Sequence, residues 1–472
     1  MEGYLGGTWW IRVLLQRGIA AVYLSAFLCA LNQFRPLLGE HGLLPVPQYL
    51  RRVPFRHSPS VFYLHYSDRA FARLVWLCVI LSAALLVGAF DYAPVWLSGS
   101  VWVVLWLVYL SIVNVGQVFY GFGWETMLLE AGFFTAFLGP RAVEPSVIPI
   151  LTLRWMLFRT EFGAGLIKLR HDACWRKLTC LYFHYETQPL PNPLSWYFHR
   201  LPRQMHRLSV LFSHFVQLVV PFGLFFPQPI AAVAGGLLIL HQGLLIVSGN
   251  YSWLNWLTIV LGFSALGDST LSALFGLNVP VSGAIASRSG LYDCLLYGLG
   301  AVTVGLSVQP TLNLLDKQQR MNCSYNPLHL VNSYGAFGSV TRERDEIVLE
   351  GLVDDASGEW RAYGFRGKPG DPQRRPGQVA PYHLRLDWMM WFLSLRTAAI
   401  PAHWFVRFVD KLLEGDQPTA KLLRDNPFGS KPPREIRASV YRYRYTTALE
   451  RKQSGAWWQR EYMGEFYRQS RP

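Results

Sequence analysis

Six ionisable residues interrupt two stretches that otherwise read as apolar helix: Glu125 and Glu130 in the first, Arg154, Arg159, Glu161 and Lys168 in the second. An ionised group in hydrocarbon is costly and has to find a partner, so such residues mark either a buried ion-pair network or a working proton site. On a helix Glu125 and Glu130 stand about 140° apart around the axis and do not share a narrow face. Arg154, Glu161 and Lys168 recur every seven residues and form one stripe, with Arg159 off it. Two chemistries are open. In one, the carboxylates of the first stretch pair with the cations of the second and orient two helices. In the other, Lys168 acts as a base with Glu161, Glu125 or His184 as helper, since an amine taken out of water gives up its proton more readily.

A second constellation follows directly: His171, Cys174, Cys180 and His184. Two cysteines and two histidines invite zinc, but the Cys-x5-Cys spacing is looser than in common zinc modules. A local disulfide is the alternative in an oxidising compartment. Two unlinked thiols are the default expectation, with no metal and no cofactor. Six cysteines are too few for a disulfide scaffold. Of these, Cys29, Cys78 and Cys294 lie in or beside apolar segments and read as small hydrophobes. No phosphate-cradling glycine loop and no nucleophile elbow occur, so the residues leave enzymatic activity undecided and lean against it. Asn-x-Ser/Thr sequons at Asn250 and Asn322 both lie close to expected membrane ends.

The elements that carry these residues follow from composition. Hydrophobic residues make up 51% of the 472, and charged residues only 16%, against about 25% charged in a typical soluble domain. Eighteen tryptophans suit anchoring at headgroup depth. A span needs about 20 apolar residues. Trp9–Leu31, Phe71–Phe90 and Ile148–Leu169 qualify by length, and the uncharged run Tyr92–Trp124 holds one helix and the start of another that continues to about Leu138. Between Arg207 and Asp268 no charge occurs for about sixty positions, room for about three spans. The breaks there fall at Pro221–Pro229 and Ser248–Asn255, and Leu291–Leu315 supplies the last span. The first stretch carries Arg12 and Arg17 without a cleavage site, so it reads as a retained helix rather than a signal peptide.

After Asp316 the chain changes character, with charges of both signs and Pro/Gly clusters. Ile347–Leu352 and the alternating Tyr441–Tyr445 read as strands. Ala402–Leu413 reads as an amphipathic helix, and Trp388–Leu395 is apolar but too short to span. The expected architecture is an all-α polytopic membrane bundle of eight or nine spans (residues 1–315, with a polar loop at 170–207), followed by a basic α+β extramembrane domain (316–472). The net charge of +14 resides in loops and this domain. With no nucleic-acid-binding motif and no basic stripe on a soluble helix, nucleic acid is not an expected partner and the lipid bilayer is. Basic loops on several segments leave the orientation open.

Several of these segments resemble the lipase maturation factor family. The likeness runs through Val113–Val118, Gly123-Trp124-Glu125, Gly163–Lys168 and the Cys174–Cys180 segment with Trp175. It continues in Phe183–Pro193 with His184, Tyr185 and Glu186, then Ile246–Asn250, Tyr251–Thr258, Val331–Ser339, Pro381–Trp388 and Asn426-Pro427-Phe428. The resemblance implies a multi-pass protein of the endoplasmic reticulum membrane, or of the cell membrane in a bacterium. It implies a chaperone-like factor for the folding, assembly and export of secreted lipases, and makes Cys174, Trp175, Cys180, His184, Tyr185 and Glu186 a family motif loop. It also implies cysteines in animal members where this chain has Gly367 and Gly377. A shorter stretch, Ala164–Leu169 with Trp175, resembles the active-site segment of vitamin K-dependent carboxylases, where the residue matching Lys168 serves as base.

Overall fold

The computed structural model describes residues 6–277, 285–353, 358–395, 400–429 and 431–471. The first two thirds is helical: α1 (Trp9–Leu38), α2 (Asp68–Val87), α3 (Val95–Val115), α4 (Gly123–Thr135), α5 (Val147–Arg170), α6 (Arg203–Leu218), α7 (Ile230–Ser248), α8 (Leu254–Gly262), α9 (Asp268–Phe275) and α10 (Gly290–Leu315). Local chemistry sets the boundaries. The Ser67 hydroxyl accepts from Ala70 N to start α2, and Gly88, at φ 91°, ends it in a left-handed turn that side chains resist. The breaks around α7 fall where the prolines and the Ser248–Asn255 segment place them.

Among the described residues five helices, α1, α2, α3, α7 and α10, are long and apolar enough to cross a membrane; α8, continued to Ala265, and α9 form a pair bent by 105°, which makes up to six. The expected eight or nine also included α4, α5 and α6. Helix α4 has only 13 residues, about 20 Å of rise against a hydrocarbon core of about 30 Å. Helix α6 has 16, and α5 carries the charges named above. Sequence reading merged α4 with its flanks because Gly116–Phe122, where the helix breaks, is as uncharged as a span. Trp76, Ile80, Val87, Val302 and Val304 are half or more exposed. That is a surface suited to lipid rather than water.

The C-terminal part adds β1 (Arg344–Leu352), β2 (Trp360–Ala362), α11 (Arg385–Ser394), α12 (His403–Leu413), β3 (Glu435–Tyr445), α13 (Ala448–Ser454) and β4 (Trp458–Ser470). The four strands form one antiparallel sheet in the order β2-β1-β3-β4. Both expected strands lie inside β1 and β3. The expected amphipathic helix is α12, whose Phe405 packs on Phe466 and Tyr467 of β4. The short apolar segment at Trp388 is core: it lies in α11 and packs on Phe122 and Trp124 at the start of the α4 region. Sheet and bundle therefore share buried surface.

One close approach tests this packing. A Cβ on Gly163 of α5 would lie 2.4 Å from the Tyr334 carbonyl oxygen, a backbone atom that cannot swing aside. Gly163→Ala is expected to cost about 1–3 kcal/mol through overpacking, read as a lower melting midpoint of the detergent-purified chain. Gly236→Ala, with nothing within 4 Å, is the matched control. Equal midpoints for the two would mean the contact is loose.

Candidate functional site

The six charges of α4 and α5 do not form one network. The structure separates them into clusters, each closed by residues from a different part of the chain.

Glu125, fully buried, meets Arg385 of α11: Nη1 lies 2.7 Å from Oε1. Tyr109 of α3 donates its hydroxyl to the other oxygen, and His383 Nδ1 lies 3.5 Å from Oε1. The Arg385 guanidinium stacks 3.4 Å from the Tyr120 ring centroid and donates to the Phe119 carbonyl at 2.7 Å. Gln33 of α1 braces the same turn, accepting from Arg385 N at 2.9 Å and donating to the His383 carbonyl at 2.7 Å. The expected cations of α5 take no part.

Glu130 pairs with Arg159. Its Oε2 also accepts from Tyr334 hydroxyl at 2.8 Å, Asn332 N at 2.8 Å and Asn332 Nδ2 at 3.0 Å. Arg159 donates to the Asn332 carbonyl as well. Arg154 turns elsewhere and donates to the carbonyls of Ser264, at 2.8 Å, and Leu224, at 3.2 Å, closing the end of the α8 segment.

Glu161 and Lys168 share a third cluster without touching. Gln217 of α6 bridges them: Nε2 donates to Glu161 at 3.0 Å, and Oε1 accepts from Lys168 Nζ at 2.5 Å. Gln242 of α7 donates to the other Glu161 oxygen at 2.5 Å and accepts from Asn255 at 2.6 Å. The ammonium sits 5.1 Å from the Trp175 ring centroid. His184 is hydrogen-bonded to Tyr251 (2.9 Å), whose hydroxyl donates to Gln188 at 2.5 Å. No hydrogen bond joins His184 to Lys168 among the described residues.

The motif loop corrects the thiol expectation: Cys174 and Cys180 form a disulfide. Loop closure brings them together, because Asp172 caps Cys174 N at 2.9 Å and the Thr179 N–H donates to the Cys174 carbonyl at 2.8 Å. Asp172 lies near both sulfurs, but sulfurs bonded to each other are not thiolate ligands. His171 lies exposed at the end of α5, away from this group. Trp175 donates to the Phe337 carbonyl at 2.9 Å, Tyr185 packs with Cys180 and Val210, and Glu186 accepts from Tyr445 N at 2.7 Å.

Sequence reading missed a fourth cluster. Arg344 and Lys368 flank buried Glu346 at 2.5 and 2.8 Å, and Arg344 also donates to the carbonyls of Glu186 (2.9 Å) and Pro189 (3.1 Å). The charged run 342–346 was visible, but alternating signs on a polar segment usually mean a solvated face. Asn250 was read as a sequon. It is buried instead, donates to the Gly377 carbonyl at 2.9 Å, and accepts from Val379 N and Ala380 N at 2.8 and 2.9 Å.

Several imidazoles outside the spanning helices are held down to about 4 from 6.5, among them His184, His329 and His383. Burial is the first cause in each; Lys168 adds to it at His184 and Arg385 at His383. All three are neutral in the folded chain. Unfolded, they take up protons near 6.5, so between about 6.5 and about 4 the unfolded chain binds more protons and acid destabilises the fold. This contribution is complete above about pH 6.5 and shrinks as pH falls toward 4. The melting midpoint in detergent is expected to drop between about pH 7.5 and 5. A flat profile there would contradict buried neutral imidazoles.

With this geometry in place, comparison with known proteins identifies the lineage. A family model described as "Lipase maturation factor transmembrane domain" matches residues 10–273, and one described as "Lipase maturation factor C-terminal domain" matches residues 330–468. "Lipase maturation factor 1" of Bos taurus is 42% identical over 500 residues, covering 98% of this chain and 89% of that protein. The Mus musculus protein of the same name is 41% identical, covering 98% and 87%. "Lipase maturation factor 2" of Gallus gallus is 29% identical, covering 97% and 80%. No solved structure matches. The short likeness to vitamin K-dependent carboxylases gains no support. The matches extend through the bundle, the motif loop and the sheet, and this chain belongs to the lipase maturation factor family.

Proposed function

We propose that this chain is a membrane-bound maturation factor for lipases that assists folding, assembly and export of secreted clients without catalysing a covalent step. Supporting this reading above all is the family match through both the bundle and the C-terminal sheet. In this reading α4, α5 and α6 complete a bilayer-embedded bundle of eight or nine segments within residues 1–315, in the endoplasmic reticulum membrane of a eukaryote or the cell membrane of a bacterium. The loop at 170–207 and the domain at 316–472 face the client. Strand β4 ends the sheet, and Tyr462 and Met463 on it are half exposed. An open strand edge suits main-chain pairing with an incompletely folded chain.

The intramembrane charges then work as fasteners. Each carboxylate is satisfied by amides, hydroxyls or a guanidinium from another element, an arrangement that specifies packing. Lys168→Met is accordingly expected to retain lipase maturation per folded molecule, measured as secreted lipase activity normalised to the amount of factor. Loss of maturation by a well-folded Lys168→Met would revive the base. The direct test is deletion of the gene in its native host: secreted lipase activity should fall, and unchanged activity and assembly would refute the proposal.

A further inference from the structure

Helix α6 leaves Met205, Leu208, Leu211 and Phe215 about half exposed on its outer face, at three- and four-residue spacing. The chain just before it presents Leu194, Tyr197 and Leu201, each more than a third exposed. A continuous apolar row on an outer helix face is a lipid-facing surface. The segment at 194–203 is where that surface begins, and the C-terminal region touches it: the Trp196 indole donates to the Thr446 carbonyl at 3.0 Å.

Between the short helix Ser195–His199 and the β3–β4 connection lies a cleft of about 410 Å³, lined by Trp196, Ala448, Arg451, Lys452, Gly455 and Trp457. The Arg451 guanidinium lies 3.6 Å from the Trp457 ring centroid and 4.8 Å from that of Trp196. Arg375 approaches the same Trp457 at 5.1 Å, and Arg200 lies 5.3 Å from Trp196. Among the described residues none of Arg200, Arg375, Arg451 and Lys452 is ion-paired with a carboxylate, and no acid lines the cleft. The one carboxylate of α13, Glu450, is already used by Arg444 at 2.8 Å and by Thr447 N at 2.7 Å. Arg451 and Lys452 thus line the cleft with no acid in its wall; Arg451 rests against two indoles packed edge to face and donates to the Tyr197 hydroxyl at 3.5 Å, while Arg200, near Glu186 and Glu450, donates to the Thr446 carbonyl and Arg375 to the Pro193 carbonyl at 3.1 Å.

We propose that this cleft binds the phosphate of an anionic phospholipid headgroup and so ties the C-terminal domain to the bilayer surface. A phosphate offers several acceptor oxygens to a fixed guanidinium and a flexible ammonium. Indole rings at headgroup depth shield the pairing from water. The contiguous exposed row on α6 supplies the acyl-chain surface, which favours a lipid over a soluble anion.

The test uses the full chain in neutral detergent, titrated with dioleoyl-phosphatidylglycerol, dioleoyl-phosphatidylcholine, inorganic phosphate or a hexaglutamate peptide, with the melting midpoint as readout. Phosphatidylglycerol should raise the midpoint in a saturable way, and the other three should not. Lys452→Gln should weaken the apparent affinity about fivefold, the equivalent of about 1 kcal/mol for one cation near a charged lipid surface. Arg451→Gln with Lys452→Gln should weaken it further than Lys452→Gln alone, since each variant removes a cation from the same cleft. Lys452 is exposed, so its single variant carries the test even where the double variant folds poorly. An equal response to phosphatidylcholine, or an undiminished response in the Lys452→Gln protein, overturns the proposal. A matching response to inorganic phosphate makes this a free-anion site, and a tighter response to the peptide an acidic-peptide site; either result also overturns it.

Discussion

Arg385→Met is expected to destabilise the chain by about 3–5 kcal/mol, the cost of leaving a buried carboxylate without its cation. Folded proteins have only about 5–15 kcal/mol in total, so little of this variant should survive purification. The cause is local. Glu125 is fully buried, His383 beside it is held neutral by burial, and the Tyr109 hydroxyl offers a dipole rather than a charge. The guanidinium also fills the space over Tyr120 and satisfies the Phe119 carbonyl where the chain breaks between α3 and α4. Glu125→Gln combined with Arg385→Met removes both charges and should be less damaged than Arg385→Met alone. Melting midpoints of the native chain, the single variants and the double form the cycle. A midpoint for Arg385→Met close to native would show that the pair does not hold the sheet-bearing domain on the bundle.

Arg159→Met is expected to cost a similar amount, about 3–5 kcal/mol, with a different local signature. Glu130 would keep Asn332 and Tyr334 as donors, but no cation would remain beside it. The Asn332 carbonyl would lose the guanidinium donor as well. That carbonyl belongs to the connection from α10 to β1, so this connection should loosen first. Limited proteolysis in detergent is the measurement: cleavage between residues 316 and 343 should appear in Arg159→Met before the bundle is cut. Glu130→Gln, which keeps an acceptor oxygen and releases the arginine to its carbonyl partner, should show less of it. Identical digestion of native and Arg159→Met chains would remove Glu130–Arg159 as the anchor of this connection.

The contrast between these clusters explains what sequence reading found. Arg159 was an evident partner for a carboxylate because both lie in apolar helices, where a charge cannot be left alone. Glu161 stands seven residues before Lys168 on one helix and was named as a helper of a Lys168 base. Gln217 of α6 and Gln242 of α7 intervene. Their role was invisible because amides in a membrane helix have many uses. Arg385 was quoted only as part of a motif, since nothing in a water-facing segment says that its cation is buried 260 positions away against Glu125.

Hydropathy alone determined that much of this chain lives in hydrocarbon, where the main helices and their breaks fall, and that a mixed α/β region follows. Those properties depend on runs of neighbouring residues, and a run of apolar side chains has the same preference for hydrocarbon wherever it sits in the fold. Tertiary structure alone decided that Cys174 and Cys180 are joined, that α4 is a short buried helix, and that Arg344 and Arg385 fasten the C-terminal region to the motif loop and the bundle. A buried ion pair is an interaction between two points in space, and its stabilisation depends on distance and desolvation that one-dimensional spacing does not encode.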